Sequence, residues 1–242
     1  MKKIKYFNVI VVVLLFLLSA ATAYAEESGK FKVGFALENT KILNLGDGSG
    51  MYGMRYGGLL GYSKVFGDQY WFSSGLKVLT GKGKGHGGRL DNDDTDVQVN
   101  ALIGKIFLVG SLSITPYLGV GGHHRSLYYG GGRGYDQYND LLLPLGAKAE
   151  MDFDFGKLGT DFTFEVVAFR GRNDQLRFGS GHSEEWLDGS HNAEFGIFFE
   201  PSAIPIGFRP YVRYEKVLKS ETLSIIENKE ITSGGLEIYA IF

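Results

Sequence analysis

The last thirteen residues, from Glu230 to Phe242, form an alternating segment that ends on an aromatic side chain. Leu236, Ile238 and Phe242 share one face of this segment when it is extended, because side chains two residues apart on a strand point the same way. After Leu18 no apolar stretch approaches the roughly 20 residues that a membrane-spanning helix needs. The chain instead contains many segments with a period of two, and this pattern predicts an all-β fold.

The N-terminal segment has the parts of an export signal. These parts are a basic start (Lys2, Lys3, Lys5), an apolar run (9–18) and a small-x-small cleavage site (Ala23, Ala25). We therefore expect residues 1–25 to be a cleaved signal peptide and residues 26–242 to form a single domain. Cleavage removes three lysines and no acid, which changes the formal charge from −2 to −5 and gives no electrostatic reason to expect a nucleic-acid partner. Without cysteine, the exported domain uses neither disulfides nor thiolate metal sites.

Ten alternating segments follow the signal. They lie near 30–39, 52–62, 70–80, 96–107, 114–120, 141–153, 161–168, 192–200, 208–220 and 230–242. The connections near 39–50, 80–95, 129–139, 171–190 and 219–229 are long, and those near 65–69, 108–112, 154–159 and 201–207 are short. Strict alternation of long and short connections predicts a transmembrane, antiparallel, up-and-down β-barrel with both termini in the periplasm.

The strand count has an alternative. If the weak segments 30–39 or 208–220 are not strands, the barrel has eight strands instead of ten, and a soluble periplasmic sandwich is a further competing fold. Pro116, Pro144 and Pro210 fall inside predicted strands, where each lacks the N–H that a ladder needs. We expect a bulge or a strand end at each of them.

The barrel interior is predicted to be charged with both signs. The inward side chains are Lys148, Glu150, Asp152, Asp161, Glu165, Glu194, Arg209, Arg213 and Glu215. Buried acids need partners, and Arg209, Arg213 and Lys77 are available to them. We therefore expect ion pairs that plug a narrow barrel, with a narrow polar conduit for small solutes as the alternative.

Two polar clusters are weighed as chemical sites. His124 and Ser126 lie two residues apart on one strand face, so a base and a hydroxyl lie on the same side. This pattern resembles the His-x-Ser of lipid A deacylase barrels, but Leu127 stands where that family has Asn. Asp91, Asp93, Asp94 and Asp96 resemble half of a calcium loop, without its Gly and distal Glu. We expect interfacial polar residues and a solvated acidic patch instead, and no cofactor.

Ten strands and surface acids also invite comparison with the omptin proteases, which use acidic pairs and an Asp-x-His at the barrel mouth. Asp94 and Asp96 form one acidic pair. However, Ser180 and Gly189 stand two residues before His182 and His191, where that family has Asp. The comparison fails at these positions.

The whole mature chain resembles the small outer-membrane barrels of Gram-negative bacteria, the OmpA/OmpX/OmpW-like class. The cleavage site, glycine-studded aromatic strands such as 115–121 and the terminal Phe242 carry this resemblance. It implies an outer-membrane location, contact with membrane lipid and lipopolysaccharide, and recognition of Leu236, Ile238 and Phe242 by the barrel-assembly machinery.

Three functions are expected in order. The first is a non-enzymatic, plugged barrel that serves envelope integrity or surface interaction through its long extracellular loops, with 80–95 and 171–190 as contact regions for an unknown extracellular ligand. The second is a narrow, porin-like channel for small solutes. The third is a lipid A-modifying hydrolase that uses His124 and Ser126.

Overall fold

The computed structural model describes residues 29–44, 50–67, 69–85, 91–129, 134–176, 179–186, 189–218 and 228–242. The strands are β1 (Lys30–Asn44), β2 (Gly50–Phe66), β3 (Tyr70–Gly85), β4 (Asp91–Lys105), β5 (Phe107–Val109), β6 (Leu112–Tyr129), β7 (Gly134–Phe153), β8 (Gly156–Leu176), β9 (Gly179–Trp186), β10 (His191–Pro201), β11 (Ile206–Val217) and β12 (Lys229–Ile241). Within these described ranges, no helix is long and apolar enough to cross a membrane.

Ten of these strands close into an antiparallel barrel, and the two extra strands, β5 and β9, extend its ends. Closure occurs between β1 and β12, where Phe35 is opposite Ile238 and Leu37 is opposite Leu236. Phe31 and Phe242 exchange two backbone hydrogen bonds of 3.0 and 2.9 Å at the end of this seam. The ten-strand prediction is therefore confirmed, because both weak segments are barrel strands.

The start of β1 and the end of β12 lie at one end of the barrel, together with the tight turns that follow β2, β5, β7 and β10. We call this the short-turn end and the opposite one the far end. Near the middle, the outward side chains form an apolar belt; Leu118 is 63% exposed and Val212 is 58% exposed. Apolar side chains of this kind are stable against hydrocarbon, and the opposite face of the strands is then free to be polar.

The strands reach further toward the far end than the sequence pattern predicts. Much of the predicted loops 80–95, 129–139 and 171–190 belongs to β3, β4, β7, β8 and β9. β7 has 20 residues and β8 has 21, about twice the ~9–11 residues that cross a bilayer as a strand. The far end therefore projects beyond the apolar belt as paired strands.

A single residue changes the phase of β8. Leu141 is opposite Phe169 whereas Leu142 is opposite Val167, so Ala168 is an extra residue that forms a bulge. Beyond it, Arg170 is buried and Phe169 is half-exposed, the reverse of what uninterrupted alternation would give.

The three strand prolines do not behave as expected. Pro116 is opposite Ala147, and the ladder between β6 and β7 continues on both sides of it. The ladders likewise continue through Pro144 and Pro210 without a change of register. Each proline lies at a gap on its other side: the β4–β6 ladder ends at Tyr117, and the β6–β7 and β10–β11 ladders lack pairs at Pro144 and Pro210. No register shift accompanies these gaps, so the prediction of a bulge at each proline was wrong.

Candidate functional site

The lumen contains charged side chains that the strands supply at every second position. We call the group nearer the far end the far-end network, which consists of Glu38, Arg55, Asp94, Asp96, His123, Arg125, Asp136, Tyr138, Asp140, Arg170, Arg172, Glu215 and Lys229. The group nearer the short-turn end is the short-turn network, which consists of Lys32, Lys77, Lys148, Glu150, Lys157, Asp161, Glu194, Glu200, Arg209 and Glu237.

Arg55 joins three carboxylates in the far-end network. Its guanidinium donates to Asp96 at 2.7 Å, forms an ion pair with Glu38 and lies 3.6 Å from Asp94. Arg55 is 2% exposed and Asp96 is fully buried. A charge buried this deeply is stable only with such partners, because isolated burial is expensive.

His123 lies between two acids from different strands. Its Nε2 is 3.2 Å from Asp96 Oδ2, and its Nδ1 is 3.8 Å from Asp140 Oδ2. Asp140 also accepts two hydrogen bonds from Arg170, at 2.7 and 2.6 Å. The chain of contacts from Arg55 therefore crosses the lumen to β8, through β4, β6 and β7.

A second row of contacts closes the rest of this level. Arg125 donates twice to Asp94, at 3.1 and 2.6 Å, and lies 3.6 Å from Glu215. The Tyr138 hydroxyl donates to Glu215 at 2.5 Å. Asp136 accepts from Arg172 at 3.1 and 3.2 Å and from Lys229. Arg55 and Arg172 are each 2% exposed, and Arg125 and Tyr138 are fully buried.

The short-turn network is organised around Arg209. Arg209 donates to Asp161 at 2.9 and 2.5 Å, to Glu194 at 2.6 Å and to Glu237 at 3.3 Å. Lys77 lies 3.1 Å from Glu237 and 3.8 Å from Glu194. These contacts link β3, β8, β10, β11 and β12 across the lumen.

Lysines complete the short-turn network near the barrel opening. Lys148 and Lys157 both pair with Glu150, at 2.7 and 3.1 Å, and Lys32 pairs with Glu200 at 2.6 Å. This network does not fill its level, because a cavity of about 380 Å³ lies among its side chains.

The nine predicted interior residues are placed as follows. Eight of them line the lumen, and Arg209 and Lys77 contact the acids of neighbouring strands as described above. Asp152 differs from the prediction, since it lies in the last residues of β7 at the short-turn end and its side chain is 82% exposed. β7 has left the lumen at that point, and the solvated carboxylate lies 3.7 Å from Lys157 Nζ.

Sequence reasoning missed most of the far-end network. Arg170 and Arg172 are hidden by the bulge at Ala168, and Asp136 and Asp140 lie in a stretch that was taken for a loop. Glu38 and Arg55 lie at positions that alternate along the chain with the predicted outward residues of the first two segments. Extending the alternation of the first two segments would have found them.

The candidate chemical clusters are placed as follows. His124 and Ser126 do share the outer face of β6, but the imidazole Nδ1 lies 2.8 Å from the Asn139 amide oxygen, not near a carboxylate. Asp93 is exposed on the outer face of β4 whereas Asp96 is buried in the lumen, so the two cannot ligate one ion. The Asp91 side chain lies outside the described residues. Among the described residues, no group of three His, Asp or Glu could hold a metal ion.

The predicted assembly residues lie on the outer face of β12 at the closing seam. Leu236 is opposite Leu37, Ile238 is opposite Phe35, and the terminal Phe242 is exposed at the short-turn end. The predicted cleavage residues Ala23 and Ala25 lie outside the described residues.

Comparison with known proteins supports the fold. No protein-family model and no curated protein sequence matches the chain. The outer membrane protease OmpT from Escherichia coli is similar in structure with a TM-score of 0.54 at 8% identity, over 90% of this chain and 96% of that chain. The translocator domain of the autotransporter NalP from Neisseria meningitidis gives a TM-score of 0.50 at 10% identity, over 98% of both chains. The chain has the fold of the outer-membrane β-barrels, and with its apolar belt this supports the outer membrane of a Gram-negative bacterium as its location.

Proposed function

We propose that the protein is a non-enzymatic outer-membrane barrel whose lumen is closed and whose function lies at the far end, in envelope integrity or surface interaction. The observation that carries the proposal is the far-end network, in which buried arginines and carboxylates from β1, β2, β4, β6, β7, β8 and β11 meet across the lumen. A continuous layer of buried side chains leaves no path for solutes at that level.

The far end offers a surface for contact. β7 and β8 extend beyond the apolar belt, and their outward side chains there, such as Gln137 and Asn139, are polar. We propose the regions 80–95 and 171–190 as contact regions, as paired strands together with their connections. Lipid is the partner of the belt, and the barrel-assembly machinery is the proposed reader of Phe242.

The conductance of the mature chain tests the closed lumen. Refolded residues 26–242 should give no single-channel steps in a planar bilayer. Arg55→Ala should produce openings, because the variant removes the side chain that joins three carboxylates. Lys82→Ala, which changes an exposed side chain outside the lumen, should remain silent. Reproducible steps in the parent protein would overturn the proposal in favour of the narrow channel.

The absence of enzymatic activity is tested separately. Cells that produce the protein should have the same lipid A mass spectrum as cells that lack it, because the imidazole of His124 contacts an amide and has no carboxylate to orient it as a base. A mass shift that disappears in His124→Ala would replace the proposal by the hydrolase alternative.

A further inference from the structure

A cavity lies in the short-turn half of the lumen, and a barrel whose side chains only close the lumen does not require one. Its volume of about 380 Å³ is far larger than the ~30 Å³ share of one liquid water and falls in the range of small-molecule sites. Far-end side chains close the lumen on one side of it. The short-turn end is the side from which a ligand can reach it.

Arg213 supplies an unsatisfied donor to this cavity. It lies on β11 between Arg209 of the short-turn network and Glu215 of the far-end network, and it lines the cavity while only 5% exposed. Within the described part of the chain, its Nη2 atom has no hydrogen-bond partner. Arg209, four residues before Arg213 on the same strand, donates to three carboxylates. A buried N–H group without an acceptor is costly. Among the described residues, Arg55, Arg125 and Arg172 also have one such group, but Arg213 is the one of these four arginines that lines the cavity, so an acceptor can reach it from there.

The nearest carboxylate does not supply this acceptor. Glu165 Oε2 is 4.0 Å from Arg213 Nη2, which is beyond hydrogen-bond distance. That same oxygen accepts a hydrogen bond of 2.9 Å from the amide of Asn192 on β10, which holds the Glu165 carboxylate toward β10. Glu194, directly opposite Arg213 in the ladder, is engaged by Arg209 and Lys77.

The rest of the lining selects a class of ligand. Eight cationic side chains and six carboxylates line the cavity, so its charge favours an anion. Trp71 and Tyr117 lie on the lining with ring centroids 5.7 Å apart, and Lys148 Nζ is 5.0 Å from the Trp71 ring centroid. An aromatic pair and a guanidinium with an unpaired N–H group on the lining of one cavity suit a molecule with an apolar body and one carboxylate.

We propose that this cavity binds a small organic carboxylate, whose carboxylate group accepts hydrogen bonds from Arg213 and whose body packs against Trp71 and Tyr117. The ligand reaches the site from the short-turn end. This site does not depend on the surface role proposed above, because the far-end network and the cavity occupy different levels of the lumen.

Tryptophan fluorescence gives a direct test. The chain has two tryptophans, and Trp186 is 72% exposed on β9, so Trp186→Phe leaves Trp71 in the cavity as the reporter. The mature Trp186→Phe protein, refolded in a non-ionic detergent, is titrated with benzoate. Benzamide, which has the same shape without the charge, and sodium chloride are the matched titrants. We expect a saturable change with benzoate alone.

The variants identify the residue that binds. Adding Arg213→Gln should weaken benzoate binding about tenfold or more, because a charge-assisted hydrogen bond is worth at least that factor. Adding Lys84→Gln, on the exposed outer face at the far end, should leave it unchanged. Equal responses to benzoate and benzamide, or to benzoate and chloride, would overturn the proposal, as would the absence of any saturable response. If Arg213→Gln does not refold, the comparison of benzoate with benzamide decides alone.

Discussion

Replacing Arg55 by methionine tests whether the far-end network stabilises the barrel. The substitution keeps an unbranched side chain but removes the guanidinium that contacts Glu38, Asp94 and Asp96. All four residues are less than 3% exposed, so water does not replace the lost contacts without rearrangement. The net charge of the far-end network then becomes more negative by one.

The size of the effect follows from what each acid retains. Removing one partner of a buried ion pair costs about 3–5 kcal/mol. Asp96 keeps contacts with His123 at 3.2 Å and Gln98 at 2.7 Å, and Glu38 keeps the Tyr211 hydroxyl at 2.7 Å. Because these donors remain, we expect the lower limit, a loss of about 3 kcal/mol in the free energy of unfolding.

Urea unfolding of the refolded barrel in lipid vesicles, followed by tryptophan fluorescence, measures this loss as a shift of the midpoint at constant slope. Lys32→Met is the matched control, since its side chain is 31% exposed and pairs with Glu200 at 2.6 Å. We expect less than about 1 kcal/mol for the control. If Arg55→Met costs no more than Lys32→Met, the network does not stabilise the fold and the reasoning is refuted.

Three further predictions concern other positions. Gly196→Ala should lower the free energy of unfolding by about 1–3 kcal/mol, because the new Cβ would lie 2.7 Å from Arg209 Nε. Gly234→Ala is the control: its new Cβ would have no atom within 4 Å, so the free energy of unfolding should change by less than about 0.5 kcal/mol in the same urea titration. Deleting Ala168 should retain the heat-dependent gel mobility of the folded barrel, because Phe169 then follows Val167 in regular alternation and the two arginines that follow stay in the lumen; loss of that mobility would contradict the assignment of Ala168 as the extra residue. Deleting Phe242 should reduce the amount of barrel in the outer membrane of cells, while the purified variant refolds as the parent does; equal amounts in cells would contradict its role in assembly.

The fold was predictable because the apolar belt imposes a period of two wherever a strand crosses lipid. The same reasoning explains where the prediction failed. Beyond the belt both faces of a strand are polar, so the alternation of apolar and polar side chains disappears. Residues 134–140, which read Gly-Tyr-Asp-Gln-Tyr-Asn-Asp, therefore look like a loop although they form the first third of β7.

The bulge in β8 has only a weak signature in the sequence. Val166 and Phe169 both face outward, and the interval between them is three residues instead of two. A single change of interval is hard to distinguish from the end of a strand. Arg170 and Arg172 could have been assigned to the lumen only with knowledge of the acids opposite, and those acids lie in the segment taken for a loop.

The two halves of the lumen differ in the cation that they use, and this difference is consistent with the proposed closure of the far-end half and with the cavity in the short-turn half. The far-end network pairs its carboxylates mainly with arginines, whose rigid, planar guanidinium groups bind two oxygens at once, as Arg170 does with Asp140. The short-turn network relies largely on lysines, each a point charge on a flexible stem that satisfies a carboxylate without filling the space around it. Arg213 lies where the two halves meet and lines the cavity, and within the described residues its Nη2 atom has no hydrogen-bond partner. In the two proposals above, charge patterning along the strands therefore determines which level of the barrel is closed and which accepts a ligand.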